Sequence, residues 1–391
     1  MNLLSKLPNV GITIFTEMSA MALQHHAINL GQGFPDYQPA DGLMQAVNDA
    51  MLAGHNQYAP MAGMPILREA IASKVQAQHG RVYDAEEEIT VTAGATEALM
   101  ASIQALVGRG DEVIQIDPSY DLYAPAIALA GGHSVRVPMS PPTEDRLEFA
   151  IDWDAVHAAA SERTRMIILN FPHNPTGLIL KDSDLDALEQ LITRHPRIVV
   201  LSDEAYEHIV FDDEEQRSVI RRPALAENSV LISSFGKTFH ATGWKIGYCC
   251  APESIMREIR RVHQFLVFSV NTPMQVGVAH YLKNSNATAG LSSFYQQKRD
   301  RLAHGLAGTP LTPLHSAGTF FLLVNTSALG SGSEKQLAIR LTLDIGVTTI
   351  PVSAFYENAD DARANHNLLR LCFAKQDSTL DRAIERLQAL N

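Results

Sequence analysis

The chain is poor in cysteine and in positive charge, and it has no long apolar run. Its three cysteines are Cys249, Cys250 and Cys372; two of them are adjacent and ill-placed to pair, and no CxxC spacing occurs. That count fits a reducing compartment, with thiols serving as small buried hydrophobes. Asp and Glu number 43 against 31 Lys and Arg, a formal net charge of -12. An acidic chain without a basic cluster argues against nucleic acid and anionic membranes as partners. No apolar stretch approaches the length of a membrane span. The segment Met1–Pro8 lacks the n-region, h-region and cleavage pattern of a secretory signal, so a cytoplasmic location is expected. No GxGxxG follows the first predicted strand, which disfavours a nicotinamide-dependent dehydrogenase. No metal site is expected.

What is present is material for a large core. Hydrophobic residues make up 46% of 391 residues, ordinary for a soluble enzyme of more than one domain. Short strands are predicted at 89–92, 112–116, 166–169, 198–201, 230–232 and 246–249, with helices at 96–107 and 120–129 between them. The strands at 166–169 and 198–201 are continuously apolar, which implies a sheet buried on both faces. Their alternation with helices predicts a mostly parallel α/β sheet. Beyond about residue 285 the pattern changes to helices at 292–306, 334–343 and 379–390 around strands at 318–324 and 368–373. That reads as a separate α+β domain. Asn284-Ser285-Asn286 and Gly330-Ser331-Gly332-Ser333 read as surface loops.

Ligands of such sheets bind at the carboxyl ends of the strands, and four polar segments fall there. Ser233-Ser234-Phe235-Gly236-Lys237 follows an apolar run, and Lys245 comes eight residues after Lys237. A lysine amine held in a dry pocket can form a Schiff base with an aldehyde cofactor. Small hydroxyls and a nearby cation suit an anionic phosphate. These features propose pyridoxal 5′-phosphate. Thr92-Ala93-Gly94-Ala95-Thr96-Glu97 joins a strand to a helix, where glycine permits close approach and free N–H groups face a phosphate; alone, it also reads as a plain N-cap turn. Asn170-Phe171-Pro172-His173-Asn174-Pro175-Thr176-Gly177 forms an irregular loop in which Asn174 could donate to a cofactor oxygen, while His173 reads as structural. Asp203, at the end of the strand before Glu204-Ala205-Tyr206, is either a loop cap or a counter-ion for a pyridinium nitrogen. A contact pair near ~4 Å contributes roughly 4 kcal/mol at an effective dielectric of about 20, enough to shift a pKa by about 3 units.

Taken in order, these segments resemble the pyridoxal-phosphate-dependent, fold-type I, class-I/II aminotransferases over nearly the whole chain. Asn29–Asp36, Gln57–Gly63, the Asn170 loop, Ser233–Tyr248 and Arg370–Lys375 carry the resemblance. It extends to the branch that contains kynurenine aminotransferases, glutamine transaminase K and bacterial methionine aminotransferases. The resemblance implies an aspartate-aminotransferase-like fold: a large domain with a mostly parallel seven-stranded sheet between helices, and a smaller α+β domain. The expected division is an N-terminal arm at 1–13, a large cofactor-binding domain at 45–279, and a small domain made of 14–44 and 280–391. It also implies a homodimer with shared active sites.

The roles implied by the resemblance are these. Lys237 would hold the cofactor as a Schiff base and move the proton. Asp203 would pair with the ring nitrogen, Asn174 and Tyr206 would bond the phenolic oxygen, and Tyr120 would stack on the ring. The turn at Gly94, the amides of Ala95 and Thr96, Ser234 and Lys245 would hold the phosphate, with Tyr58 reaching in from the partner subunit. Arg370 would clamp the substrate α-carboxylate, assisted by Asn174 and the Gly33 backbone. Relatives often have arginine where Lys245 stands; lysine keeps the charge and loses the fork. The segment 262–270 contains no Lys or Arg, where dicarboxylate-specific relatives supply a second cation. Phe15, Phe268 and Phe355 are either pocket wall or ordinary core. The expected reaction is transfer of the amino group of L-methionine, and less of aromatic amino acids or glutamine, to a 2-oxo acid by ping-pong half-reactions. The rivals are a kynurenine aminotransferase, a cystathionine or cysteine-conjugate β-lyase using the same residues, and a non-catalytic cofactor-binding regulator. A regulator of that kind would need a DNA-binding module for which the chain has no basic segment.

Overall fold

A computed structural model describes residues 4–8, 10–143, 145–283, 287–330 and 332–390. Residues 1–3 and 9 of the expected arm, the loop at 284–286 and Ser331 lie outside the described residues. Seven strands form the main sheet: β1 (Ile89–Thr92), β2 (Glu112–Asp117), β3 (His133–Pro138), β4 (Thr164–Asn170), β5 (Val199–Asp203), β6 (Ser229–Ser234) and β7 (Gly247–Cys250). Their spatial order is β1-β7-β6-β5-β4-β2-β3. Neighbours run parallel except at β7, which is antiparallel to both β1 and β6.

The apolar runs are continuous because both faces are covered. On β4, Ile167 and Leu169 enter one core cluster while Met166 and Ile168 enter the other. β5 divides in the same way, with Val200 on one side and Val199 and Leu201 on the other. A period of two with apolar residues at every step is the signature of a sheet packed between helices.

The structure departs from the expected elements at three places. The strand β3 is absent from the sequence pattern because it lies at the sheet edge, where only Val137 of its six residues is buried. The helix expected from Tyr120 begins at Tyr123. The amide of Ser119 donates to the Phe355 carbonyl at 2.8 Å, and that of Tyr123 to the Tyr120 carbonyl at 3.2 Å. The chain therefore turns at 118–122 and leaves Tyr120 outside the helix. Farther on, the expected helix 334–343 is α-helical over Glu334–Arg340 and continues as one π turn, Leu341–Ile345.

A second, antiparallel sheet holds β8 (Thr312–Pro313), β9 (Phe321–Asn325), β10 (Ile350–Pro351) and β11 (Leu368–Cys372) in the order β10-β11-β9-β8. It packs with the helices Leu291–Gly305 and Asp377–Leu387 around its own core, which includes Leu322, Leu369, Leu371 and Leu380. Strand β11 carries Arg370 in its middle.

One glycine fixes where the two kinds of strand meet. Gly247 opens β7 opposite both Thr92 of β1 and Ser234 of β6. A Cβ there would lie 2.7 Å from the Gly94 carbonyl carbon, 2.8 Å from the Ala95 nitrogen and 2.8 Å from the Ser233 oxygen. All three are backbone atoms, so a side chain must push the following helix, Gly94–Leu106, off the sheet. Gly247→Ala is expected to cost about 1–3 kcal/mol, as overpacking does. A urea melt of the unliganded protein reads this as a lower midpoint, and an unchanged midpoint would mean that the contact is not tight.

Candidate active site

The carboxyl ends of β1, β4, β5 and β6 and the start of β7 lie along one edge of the main sheet, with β11 of the smaller sheet supplying the facing residue Arg370. A cleft of ≈ 370 Å³ lies there. Its lining includes Phe15, Gly33, Gly94, Ala95, Thr96, Tyr120, Asn174, Asp203, Tyr206, Ser234, Lys237, Lys245 and Arg370. Tyr58 and Phe268 stand elsewhere in this chain: they pack edge to face at 5.5 Å, and Tyr58 is 83% exposed. Phe355 is buried, lies edge-on to Phe15 at 5.7 Å, and lines an adjoining cavity of ≈ 430 Å³.

Lys237 sits in the short helix Phe235–Thr238 directly after β6. Its Nζ donates to the Gly33 carbonyl at 2.9 Å and lies 5.6 Å from the centre of the Tyr206 ring. Crowding by the protein lowers its pKa to about 8; the nearby cations Arg370 and Lys245 push the same way, against Asp203. The neutral amine is the nucleophile, so burial brings this lysine near working pH.

Asp203 ends β5 and is buried. One oxygen accepts the Tyr123 hydroxyl at 2.7 Å, and the other accepts the Ala205 amide at 3.3 Å. Burial raises its pKa above the ordinary carboxylate value, against the Tyr123 bond. Its hydrogen-bond partners are thus neutral, and a cation brought to it would be stabilised in a medium of low dielectric.

The turn Thr92–Gly94 leads into Gly94–Leu106, a helix of 13 residues whose first amides are free of intrahelical partners. Gly94 has φ +76, and a Cβ on it would lie 3.4 Å from the Lys245 Nζ. Lys245 itself adopts a left-handed φ of 55 and donates from Nζ to Thr96 Oγ1 at 3.1 Å. Helix amides, a hydroxyl and an ammonium group converge around a glycine, the composition of an anion cradle.

Arg370 is 1% exposed. Its Nη1 donates to Asn174 Oδ1 at 2.6 Å, its Nη2 to the Gly31 carbonyl at 2.8 Å, and its Nε has no partner among the described residues. The guanidinium stacks 3.9 Å from the Phe321 ring centre, with Phe355 at 5.1 Å and Phe15 at 5.2 Å. Desolvation lowers its pKa to about 10, which leaves it charged at neutral pH. With its oxygen committed to Arg370, the Asn174 side chain offers its NH₂ to a ligand oxygen. The carbonyl of Gly33 holds Lys237, and it is Gly31 that meets Arg370.

The sequence reading missed several residues in or directly behind the cleft. Tyr123, which holds Asp203, is separated from it by 80 positions, although it stands three residues after Tyr120. Asn170 ends β4; its Nδ2 donates to the Asp203 carbonyl at 3.0 Å and its Oδ1 accepts the Asn174 amide at 3.1 Å. Its place at a strand's carboxyl end is a signal of the kind that identified Asp203. Gln32, Asp121, Thr242 and Phe321 also line the cleft.

The family model described as aminotransferase class I and II matches residues 25–387. A methionine aminotransferase of Escherichia coli K12 is 50% identical over 387 residues, covering 99% of this chain and 98% of its own. A crystal structure from Escherichia coli, whose reactivity identifies a methionine aminotransferase function, has a TM-score of 0.95 at 50% identity and covers both chains fully. The N-succinyldiaminopimelate aminotransferase of Mycobacterium tuberculosis also has a TM-score of 0.95, at 41% identity with full coverage of both chains. A variant of the Thermus thermophilus aspartate aminotransferase has a TM-score of 0.88 at 30% identity over 99% of both. The chain therefore belongs to the class I and II aminotransferases and has their aspartate-aminotransferase-like fold.

Proposed function

We propose that this aminotransferase moves the amino group of L-methionine, and less readily of aromatic amino acids or glutamine, to a 2-oxo acid in two ping-pong half-reactions with pyridoxal 5′-phosphate. The observation that carries the donor preference is the surroundings of Arg370. The guanidinium is buried against Phe321, Phe15 and Phe355, and among the described residues the cleft has no cations besides Lys237, Lys245 and Arg370. One carboxylate can be clamped there, and an apolar side chain meets aromatic walls. A dicarboxylate would bring a second charge with no cation to meet it. The 50% identity to a methionine aminotransferase supports the same donor.

The residues fit the cofactor. The cradle of Gly94, Ala95, Thr96, Ser234 and Lys245 suits a phosphate dianion, and the buried Asp203 suits a protonated ring nitrogen. When bound, pyridoxal 5′-phosphate supplies an aldehyde and an electron-withdrawing ring that stabilise negative charge at the substrate Cα. Lys237 offers the amine that takes the Cα proton and returns it. Asp203, held by Tyr123, would pair with a protonated ring nitrogen. Asn174 and Tyr206 would hold the phenolic oxygen, and Tyr120 would lie against the ring. Arg370 orients the α-carboxylate, so that the Cα–H is presented to Lys237.

The same proposal includes a homodimer in which Tyr58 completes the partner's phosphate site. The exposure of Tyr58, of Phe268 and of the 86% exposed Phe265 supports burial against a second copy. It also keeps the division into an arm at 1–13, a large domain at 45–279 and a small domain of 14–44 with 280–391. A cytoplasmic setting accords with three free, buried cysteines.

Four outcomes are expected. Borohydride reduction of the cofactor-loaded protein, followed by peptide mapping, places the cofactor mass on Lys237 and none on Lys237→Ala. A pKa near 8 means that the neutral fraction of this amine rises from about one-tenth at pH 7 to about half at pH 8. The rate of cofactor capture should therefore increase about fivefold over that interval and level off above it; a flat profile would contradict the lowered pKa. Arg370→Gln removes the cation that would clamp the substrate carboxylate, a loss of about 2–5 kcal/mol in transition-state binding. That is at least about thirtyfold in kcat/KM for methionine. Single-turnover donor assays decide the substrate class. Conversion by methionine and not by aspartate supports the reading, and pyruvate release from cystathionine with no transamination of any donor would replace it with a β-lyase.

A further inference from the structure

We propose that His263 and Glu97 are a buried positioning pair for the phosphate grip, the imidazolium cancelling a carboxylate that would otherwise oppose a phosphate at the start of the helix Gly94–Leu106. The proposal rests on the cofactor reading above and concerns residues that do not line the cleft.

Glu97 stands in the first turn of that helix. Its Oε2 accepts the amide of Ala93 at 3.1 Å. This bond closes the turn and uses one of the helix's spare N–H groups. The amides of the next residues are left for a ligand. A carboxylate at a helix start is favourable on its own, but it competes with a second anion for the same field. Next to a phosphate dianion it is a liability unless it is neutralised.

His263 supplies the neutralising charge. It lies on the helix Glu253–Leu266 and is fully buried. Its Nδ1 is 2.9 Å from Glu97 Oε1, and its Nε2 is 2.9 Å from the Met61 carbonyl oxygen. An ionised carboxylate and a carbonyl both accept, so with Glu97 ionised each ring nitrogen carries a hydrogen and the ring is cationic. Burial by itself would lower the pKa of His263; the hydrogen bond and charge of Glu97 outweigh it and hold the value above the ordinary one.

The contact with Met61 gives the pair a second task. The Gln57 carbonyl accepts Thr272 Oγ1 at 2.6 Å, and the Ala59 carbonyl accepts Ser269 Oγ at 2.9 Å. With His263 on Met61, alternate carbonyls of this strip are pinned, and Tyr58 projects from between them. One buried imidazolium thus ties the phosphate turn to the strip that carries Tyr58.

Equilibrium dialysis of the full-length protein against pyridoxal 5′-phosphate and against pyridoxal, which lacks the phosphate, gives a preference ratio. His263→Asn is expected to lower that ratio on the order of tenfold by uncovering the Glu97 charge. Adding Glu97→Gln should restore most of it, since the opposing charge is then gone. Equal weakening of both ligands, an unchanged ratio, or no recovery in the double variant would overturn the charge role. If His263→Asn does not fold, the parent protein decides: NMR of nitrogen-labelled histidine should show both ring nitrogens of His263 protonated at neutral pH, and a singly protonated ring overturns the pair. A parent protein with no preference for the phosphorylated ligand overturns the cofactor reading itself. That result is distinct from a parent preference that the substitution leaves untouched.

Discussion

A cation kept almost out of water, with no carboxylate in contact with it among the described residues, organises this molecule. Arg370 bonds to an amide oxygen of Asn174 and a carbonyl of Gly31, and its plane lies on Phe321. Those partners come from the loop after β4, from the segment just after the two-residue strand Ile28–Asn29, and from β9. Burying a charge with no contact ion pair among the described residues is costly, and dipoles, an aromatic face and the more distant Asp121 only partly offset it. The shortfall is recovered when a carboxylate arrives. Asp203 has the complementary condition, a buried anion with neutral partners. The cleft thus holds two charges of opposite sign that the fold itself leaves incompletely satisfied. Such a site is organised for a ligand carrying charges of both kinds.

The lysine lies between these demands in chemical terms. Its ammonium form is disfavoured by burial and by Arg370 and Lys245, and favoured by Asp203. Any change that removes a neighbouring charge therefore also retunes the nucleophile. Substitutions in this cleft will be non-additive, since the groups share one electrostatic environment.

Much of the main sheet was legible because its physics is local. β4, β5 and β6 are apolar at consecutive positions, and each ends in a polar residue that a buried strand could not otherwise tolerate. Asp203, Ser234 and Lys237 are conspicuous for that reason. What the sequence hid depends on partners far along the chain. The bond from Lys237 to Gly33 spans 204 positions, and that from Arg370 to Gly31 spans 339. No spacing rule announces either. The edge strand β3 was hidden for another reason, because residues paired on one side and exposed on the other need no apolar pattern. Tyr123 and Asn170 were visible as residues and overlooked as partners, since their hydrogen bonds appear only when the strands are assembled.

The reversed direction of β7 has a consequence of its own. Because β6 ends at the cleft edge and β7 starts back from it, the chain from Ser234 to Gly247 never crosses the sheet. Lys237, Thr242 and Lys245 all ride on this single excursion, anchored at both feet by one antiparallel pairing. The spacing between Lys237 and Lys245 is therefore set by one hairpin. The spacing between Lys237 and Arg370 is set by how two separate sheets sit together. Lys237 and Lys245 thus hang on one hairpin of the main sheet and Arg370 on the smaller sheet, so that a shift of one sheet against the other changes the reach from Lys237 to Arg370 and leaves the reach from Lys237 to Lys245 alone.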